Sequence, residues 1–493
     1  MTATHNRNRA AVKNSVAMLA SRLIIAAMGW TGSILIARAL SPTEWGQFSF
    51  VFGLLGLLSI VTDLGIGRVI LARLVDSEDE EVPLVTSSFI ALRLVLGMLG
   101  YLVALAYVVL MGYSAHVIQA TAIAGIVVVI ATPSHALTTL FQSQLKMTVV
   151  AVAESLAQAV QLILTVIAVM VAPYLLILVL PAVANEIVSL LWKLRGVRRG
   201  DTGPLPARSI QVNRWRGMLV DAIPLTIGAA MTTLLTKIDV MMLSRMDDFD
   251  AVGQYSVAYK FGDILTVATS AVMASVTTLL VTAWPKEPQE FRRRTRDAVL
   301  VLALLGGLSV VVFWPIAQPV MSVLYGRQFA EAAFSAKVLV ASAAIAMPTA
   351  VALGVLVSTD NSRAYPIAGL LGLATNIALN LYLIPRYSYN GSAVATLIAD
   401  VLLAATMWLL IRRAVPIRGL FPGWQFLGLL AATGAVVAAG TTLDVFAPAP
   451  VIAGVGAILI FFAAWCLRFP AALAVVHHDW RGVLKSGSRV EER

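Results

Sequence analysis

Arg38–Phe50 reads RALSPTEWGQFSF, and Arg245–Val257 reads RMDDFDAVGQYSV. In both stretches an Arg stands eight residues before a Gly, and Gly46-Gln47-Phe48-Ser49 aligns with Gly253-Gln254-Tyr255-Ser256 at a constant offset of 207. Each stretch also joins one long apolar run to the next, so the repeat concerns the architecture of the chain as a whole.

The apolar runs lie near 14–38, 46–70, 84–111, 116–137, 149–171, 174–194, 216–244, 252–283, 298–324, 335–358, 364–385, 391–411, 422–443 and 449–468. Crossing a bilayer as a helix takes about 20 mainly apolar residues, so the expectation is about fourteen spans. Composition agrees. Of the 493 residues 59% are hydrophobic and 13% charged, with mean hydropathy +0.86, against about 25% charged residues in soluble domains. The apolar excess covers the whole length, which excludes both a soluble enzyme and a soluble domain on one anchor. Arg7, Arg9 and Lys13 precede an apolar stretch to about Ala39 that is too long for a signal-peptide core and lacks a small-residue cleavage site. The reading is a first span that stays in place.

Orientation follows from charge. With the N-terminus inside, 27 of the 36 Lys and Arg fall in inner segments, five in outer segments and four inside spans. Such a bias places both ends in the cytoplasm and requires an even number of spans, because one missed span would move every later loop across the membrane. It also explains the net charge of +10 without nucleic acid. The single Cys466 supplies neither a disulfide framework nor a CxxC metal spacing.

The two repeat copies each connect an odd span to an even one on the outer side, so two six-span halves share one orientation. Parallel repeats of this kind are a transporter plan with the substrate site between halves. The expected fold is an all-α integral membrane protein with about 14 transmembrane helices. It divides into an N-terminal six-helix lobe (1–209), a C-terminal six-helix lobe (210–418) and two additional helices with a tail (419–493).

Ala37–Leu71, ARALSPTEWGQFSFVFGLLGLLSIVTDLGIGRVIL, resembles the start of the Wzx-like bacterial oligosaccharide flippases. These form the polysaccharide-exporter branch of the MOP superfamily, which also holds the MATE exporters and the lipid II flippase MurJ. Thr236–Leu265, Leu324–Ala333 and Ala374–Asp400 fit the same pattern in the same order. The resemblance implies alternating access in a bacterial inner membrane, an undecaprenyl-pyrophosphate-linked oligosaccharide as cargo, and a place in surface polysaccharide biosynthesis. It also implies partners: the lipid-linked glycan, membrane lipid, and polysaccharide polymerase and chain-length proteins.

A pyrophosphate head group cannot cross about 30 Å of hydrocarbon uncompensated, and charges inside spans are functional candidates by default. Arg22, Arg93, Lys237 and Lys260 are therefore the expected cavity cations, with Arg68 near the inner mouth. Arg22 lies roughly 13 Å from the inner end of its span at 1.5 Å per residue. The competing reading is that some of these cations pair with Asp63, Asp239 or Asp263 and only lock helices together, Lys260–Asp263 above all. Asn376 and Asn380, one turn apart, suit either sugar hydroxyls or interhelical hydrogen bonds. No cofactor is expected, but coupling to H+ or Na+ would need an acid, and Asp239, Asp263, Asp400, Glu154 and Glu186 are the candidates. Arg38 and Arg245 read as interfacial caps, Ser77–Glu81 as an acidic cytoplasmic loop, and Arg292-Arg293-Arg294 as an inner anchor that touches anionic lipid. His477-His478-Asp479 is a poor metal site.

Three other readings compete. A lipid II flippase or a MATE-type exporter would share the fold; the cations favour an anionic cargo over a cationic drug. A membrane glycosyltransferase or polymerase could use Asp248-Phe249-Asp250 as a DxD metal motif, but the hairpin around it is short and no P-loop or Ser/His/Asp constellation accompanies it. A scaffold without transport would gain little from cations on several separate helices.

Overall fold

The computed structural model describes residues 2–63, 65–76, 81–202, 205–361, 364–443, 447–467 and 469. Part of the acidic loop (77–80), Arg363 and His477-His478-Asp479 lie outside them, as do the side chains of Arg7, Arg9 and Lys13.

The described residues are helical and contain no strand. In order, the helices are α1 (Thr2–Ala39), α2 (Pro42–Asp63), α3 (Ile66–Asp76), α4 (Val82–Leu110), α5 (Ala115–Ser143), α6 (Met147–Val171) and α7 (Leu175–Arg198). Then come α8 (Asn213–Met246), α9 (Phe249–Ala283) and α10 (Pro288–Leu324). A 3-10 helix at Arg327–Ala332 leads into α11 (Ala333–Ser358), followed by α12 (Ala364–Ala414), α13 (Gly423–Leu443) and α14 (Ala449–Cys466). Among the described residues eleven helices are long and apolar enough to cross a membrane. With internal hydrogen bonding, helices are the one non-barrel structure a bilayer accepts, and this chain is a multi-pass membrane protein.

Two details differ from the expected spans. The run 46–70 is broken: α2 stops at Asp63, Gly65 takes φ 61°, and α3 begins at Ile66. Glycine carries that left-handed turn without a Cβ penalty. The runs 364–385 and 391–411 are joined as α12, interrupted only at Ser388 (φ 53°, ψ −141°). The chain folds back there so tightly that a Cβ on Gly391 would stand 2.5 Å from the Leu383 carbonyl oxygen, which explains a glycine directly after the turn.

The chain forms two compact units, Met1–Gly253 and Gln254–Arg493. In the first, α1 packs on α6, α4 on α5, α5 and α6 on α7, and α2 on α4 and α8. Its core joins Ile66 and Ile70 of α3, Phe89 and Leu92 of α4, Leu137 and Phe141 of α5, and Val197 of α7. In the second, α11 packs between α10 and α12, while α13 and α14 lie against α10. Leu300 and Leu304 of α10 meet Leu429 of α13 and Ile460 of α14 in one core. The two helices outside the repeat are thus integral to this unit.

Candidate transport site

The first unit holds a cavity of about 570 Å³ between α2, α3, α4 and α5. Its polar wall is Ser59, Thr62, Asp63, Arg93, Thr132, His135 and Thr139. Arg93 is 2% exposed. Its Nη1 donates to Asp63 Oδ1 (2.5 Å) and to the backbone oxygens of Thr62 (2.9 Å) and Asp63 (3.2 Å). Its Nε donates to the Thr132 oxygen at 3.2 Å. Carbonyls at a helix C-terminus lack intrahelical partners and attract cations, so Arg93 both caps the broken end of α2 and pairs with its last residue. Of the two readings open for Arg93, helix locking is what these bonds do. Its Nη2 has no partner among the described residues, so two guanidinium donors remain for a ligand in the cavity.

Lys237 packs against α2 at a residue of the cavity wall: its Cε lies 3.6 Å from where a Cβ on Gly56 would stand. It is half-buried and makes no ion pair among the described residues, whereas Asp239, two residues on, is 1% exposed. Arg68 on α3 and Arg22 on α1 are exposed and likewise form no ion pair among the described residues.

Beside the cavity runs a polar belt on α5, α6 and α7. Lys193 lies in α7, 1% exposed, because the helix continues past it to Arg198. Its Nζ donates to Ser134 Oγ (3.1 Å) and stands 3.7 Å from Glu154 Oε1. Glu186, two turns earlier on α7, is within electrostatic range of both Lys193 and Glu154. His135, next to Ser134, interacts with Arg93, Lys193 and Asp63. Asn185 donates to Gln161 Oε1 (2.8 Å) and Gln158 Oε1 (3.4 Å). The spacing of Glu186 and Lys193, seven residues within an apolar run, is a same-face signal that could have revealed the pair.

The remaining candidates belong to the second unit. Lys260 is half-buried and Asp263 exposed on α9. Asn380 Nδ2 donates to Asn376 Oδ1 at 3.0 Å, an intrahelical pair buried in α12. Asp400 accepts from Ser342 Oγ at 2.5 Å, linking α12 to α11.

Other sequence features resolve into structural roles. Arg245 Nη1 donates to the Met111 oxygen (3.0 Å) at the end of α4, and its guanidinium lies 5.4 Å from the Tyr113 ring centroid. The Tyr113 hydroxyl meets Ser244 at 3.0 Å, and burial pushes its pKa up to about 12. Asp248 Oδ1 accepts from the Ala251 amide at 2.8 Å, which makes it a cap of α9. Arg293 and Arg294 both bind Glu290 at 2.8 Å.

Residues 11–284, more than half of the chain, match the family described as polysaccharide biosynthesis protein. The chain belongs to that family. No curated protein matches the sequence. Among solved structures, the lipid II flippase MurJ in an inward closed conformation superposes with a TM-score of 0.70 at 14% identity, covering 95% of this chain and 99% of that one. An inward-facing MATE family multidrug transporter of the MOP superfamily gives 0.66 at 13%, covering 81% and 97%. A MOP superfamily transporter from Pyrococcus furiosus gives 0.58 at 13%, covering 82% and 95%. The fold of this polysaccharide biosynthesis protein is therefore that of the MOP superfamily, as its resemblance to the Wzx-like branch implies.

Proposed function

We propose that the chain is a flippase that moves an undecaprenyl-pyrophosphate-linked oligosaccharide from the cytoplasmic to the outer leaflet by alternating access. Family membership supports a role in polysaccharide biosynthesis, and the cations support an anionic cargo. The observation that carries the reading is the set Arg22, Arg68 and Lys237: three cations on three helices, each without an ion-pair partner among the described residues. Arg22 stands in an apolar helix long enough to cross a membrane, Lys237 in the 34-residue α8, and Arg68 on the short α3; unpaired cations at membrane depth are costly and are kept where they meet a ligand. Arg offers a planar fork to phosphate oxygens and Lys a point charge. In this reading Arg93 contributes its Nη2 from the cavity wall and Lys260 a cation from α9, whereas Asn376 and Asn380, buried and bonded to each other, brace α12 and do not face sugar.

The proposal includes an inner-membrane location, both termini in the cytoplasm, fourteen spans divided as 1–209, 210–418 and 419–493, and no catalytic step. Polysaccharide polymerase and chain-length proteins would receive the product. Coupling to H+ or Na+ would run through one or more of Asp239, Asp263, Asp400, Glu154 and Glu186.

A second reading, lipid II as cargo, is favoured by the superposition on MurJ, whose 95% coverage of this chain leaves too few residues out to omit the two helices beyond the repeat. Charge reversal tests the shared chemistry: Arg22→Glu, Arg68→Glu and Lys237→Glu are each expected to abolish surface glycan at unchanged protein level. Wild-type glycan from all three overturns the anionic-cargo assignment. Rescue of cells depleted of their lipid II flippase, without any effect on surface glycan, selects the second reading.

A further inference from the structure

The Lys193 cluster has a charge count that its surroundings make consequential. Lys193 on α7 and Glu154 on α6 neutralise each other across 3.7 Å. Glu186, seven residues before Lys193 on the same face of α7, adds a second carboxylate two turns along the helix and within electrostatic range of the pair. One ammonium, 2% exposed, and two carboxylates, Glu154 44% exposed and Glu186 half-buried, leave one negative charge on helices of a membrane protein, where net charge is expensive. A single proton brings the cluster to neutrality. The other charged groups nearby are His135 on α5, and Asp63 on α2 and Arg93 on α4, which line one cavity with that imidazole. Asp63 and Arg93 already pair with each other and leave the count unchanged. Arg22 is on α1, which packs on α6, and is exposed.

A sodium ion could also supply the missing charge, but the arrangement does not suit it. Lys193 Nζ already stands between Glu154 and Ser134 Oγ, at 3.7 and 3.1 Å, in the space a metal cation would need. Hard cations also require several converging oxygens, and no group of three acids, His or Cys among the described residues could hold a metal ion.

We propose that Glu186, poised by the Lys193–Glu154 pair, binds and releases the proton that is coupled to transport. This rests on the flippase reading for the word transport, though proton binding itself does not. In the protonated state Glu186 is a neutral acid beside a neutral pair. When the proton leaves to water on one side, the carboxylate turns to Lys193, which then serves two acids and loosens from Glu154 and Ser134. Those contacts join α7 to α6 and α5, so proton occupancy sets how tightly the three helices are tied.

The test is infrared difference spectroscopy of the full chain in lipid vesicles, following the carbonyl stretch of protonated carboxylic acids through a pH titration. Wild type is expected to show one such band that disappears at alkaline pH. Glu186→Gln should remove it and Glu186→Asp should keep it. Glu154→Gln should remove it with Glu186 intact, because Lys193 and Glu186 then neutralise each other without a proton. Lys193→Met should strengthen it. A band that persists in Glu186→Gln, or one that sodium abolishes at fixed pH in wild type, overturns the proposal. Surface glycan should be lost in Glu186→Gln; wild-type export from that variant overturns the coupling. A chain that keeps the titrating band but moves no glycan under any condition leaves the proton site standing and overturns the flippase reading instead.

Discussion

Gly46 and Gly253 pack against each other's helix starts in a reciprocal contact. A Cβ on Gly46 would overlap the Phe249 carbonyl oxygen, and a Cβ on Gly253 would overlap the Pro42 carbonyl oxygen. Gly253 and Phe249 stand 207 residues after Gly46 and Pro42, the offset of the sequence repeat. The repeat is thus physical as well as textual: equivalent residues of the two copies make equivalent contacts across a local pseudo-two-fold. Phe50 and Tyr113 close over the same place, with the Phe249 ring 5.6 and 6.0 Å away.

Because backbone, not a yielding side chain, fills the space, Gly46→Ala and Gly253→Ala must push the first turns of α2 and α9 apart. Each is expected to cost about 1–3 kcal/mol, as overpacking does. The double variant should cost less than the two together, since one displacement relieves both clashes. Thermal unfolding in detergent checks this; additive losses would contradict a shared contact.

Arg93 and Asp63 should respond unequally. Removing Arg93 strips the end of α2 of its cap and leaves buried carbonyls unpaired, for a loss of about 3–5 kcal/mol. Asp63 has a side chain 60% exposed, so Asp63→Asn is expected to cost about 1 kcal/mol or less. Arg93→Lys should behave nearly as badly as Arg93→Ala, because one ammonium cannot reach Thr62, Asp63 and Thr132 in the geometry of the fork. Protein yield and unfolding temperature of the three variants measure the order.

Arg245 should be dispensable for transport. Its contacts are one carbonyl of α4 and one aromatic face at an exposed position, together worth about 1 kcal/mol. Arg245→Ala is expected to lower the unfolding temperature slightly and to leave surface glycan at the wild-type level.

Asp248→Ala separates a capping role from a metal-binding one. Loss of an N-cap costs about 1 kcal/mol and should leave glycan export independent of added divalent metal. A metal-dependent sugar transfer lost in this variant would restore the glycosyltransferase reading.

The sequence displayed the fold because lipid imposes a simple rule: apolar runs of bilayer length, counted and oriented by Lys and Arg. It concealed what depends on contacts between helices. The break after Asp63 was hidden within an apolar run, since Gly65 reads as an ordinary membrane glycine until Arg93 is seen capping the carbonyls before it. Arg22, Arg68 and Lys237 stood out as charges within or beside spans. Lys193 did not, because it lies within two turns of the basic residues that end α7 and reads as one of them. Asn376 and Asn380 were recognisable as a pair, but only the structure shows that they bond to each other.

The central claim is most directly tested by reconstituting the full chain in vesicles that carry an undecaprenyl-pyrophosphate-linked oligosaccharide, and measuring how much glycan becomes accessible to an added lectin. The account predicts protein-dependent movement of the glycan between leaflets that Lys237→Glu abolishes without unfolding the protein. Equal exposure with and without the protein, or full activity in that variant, would contradict it.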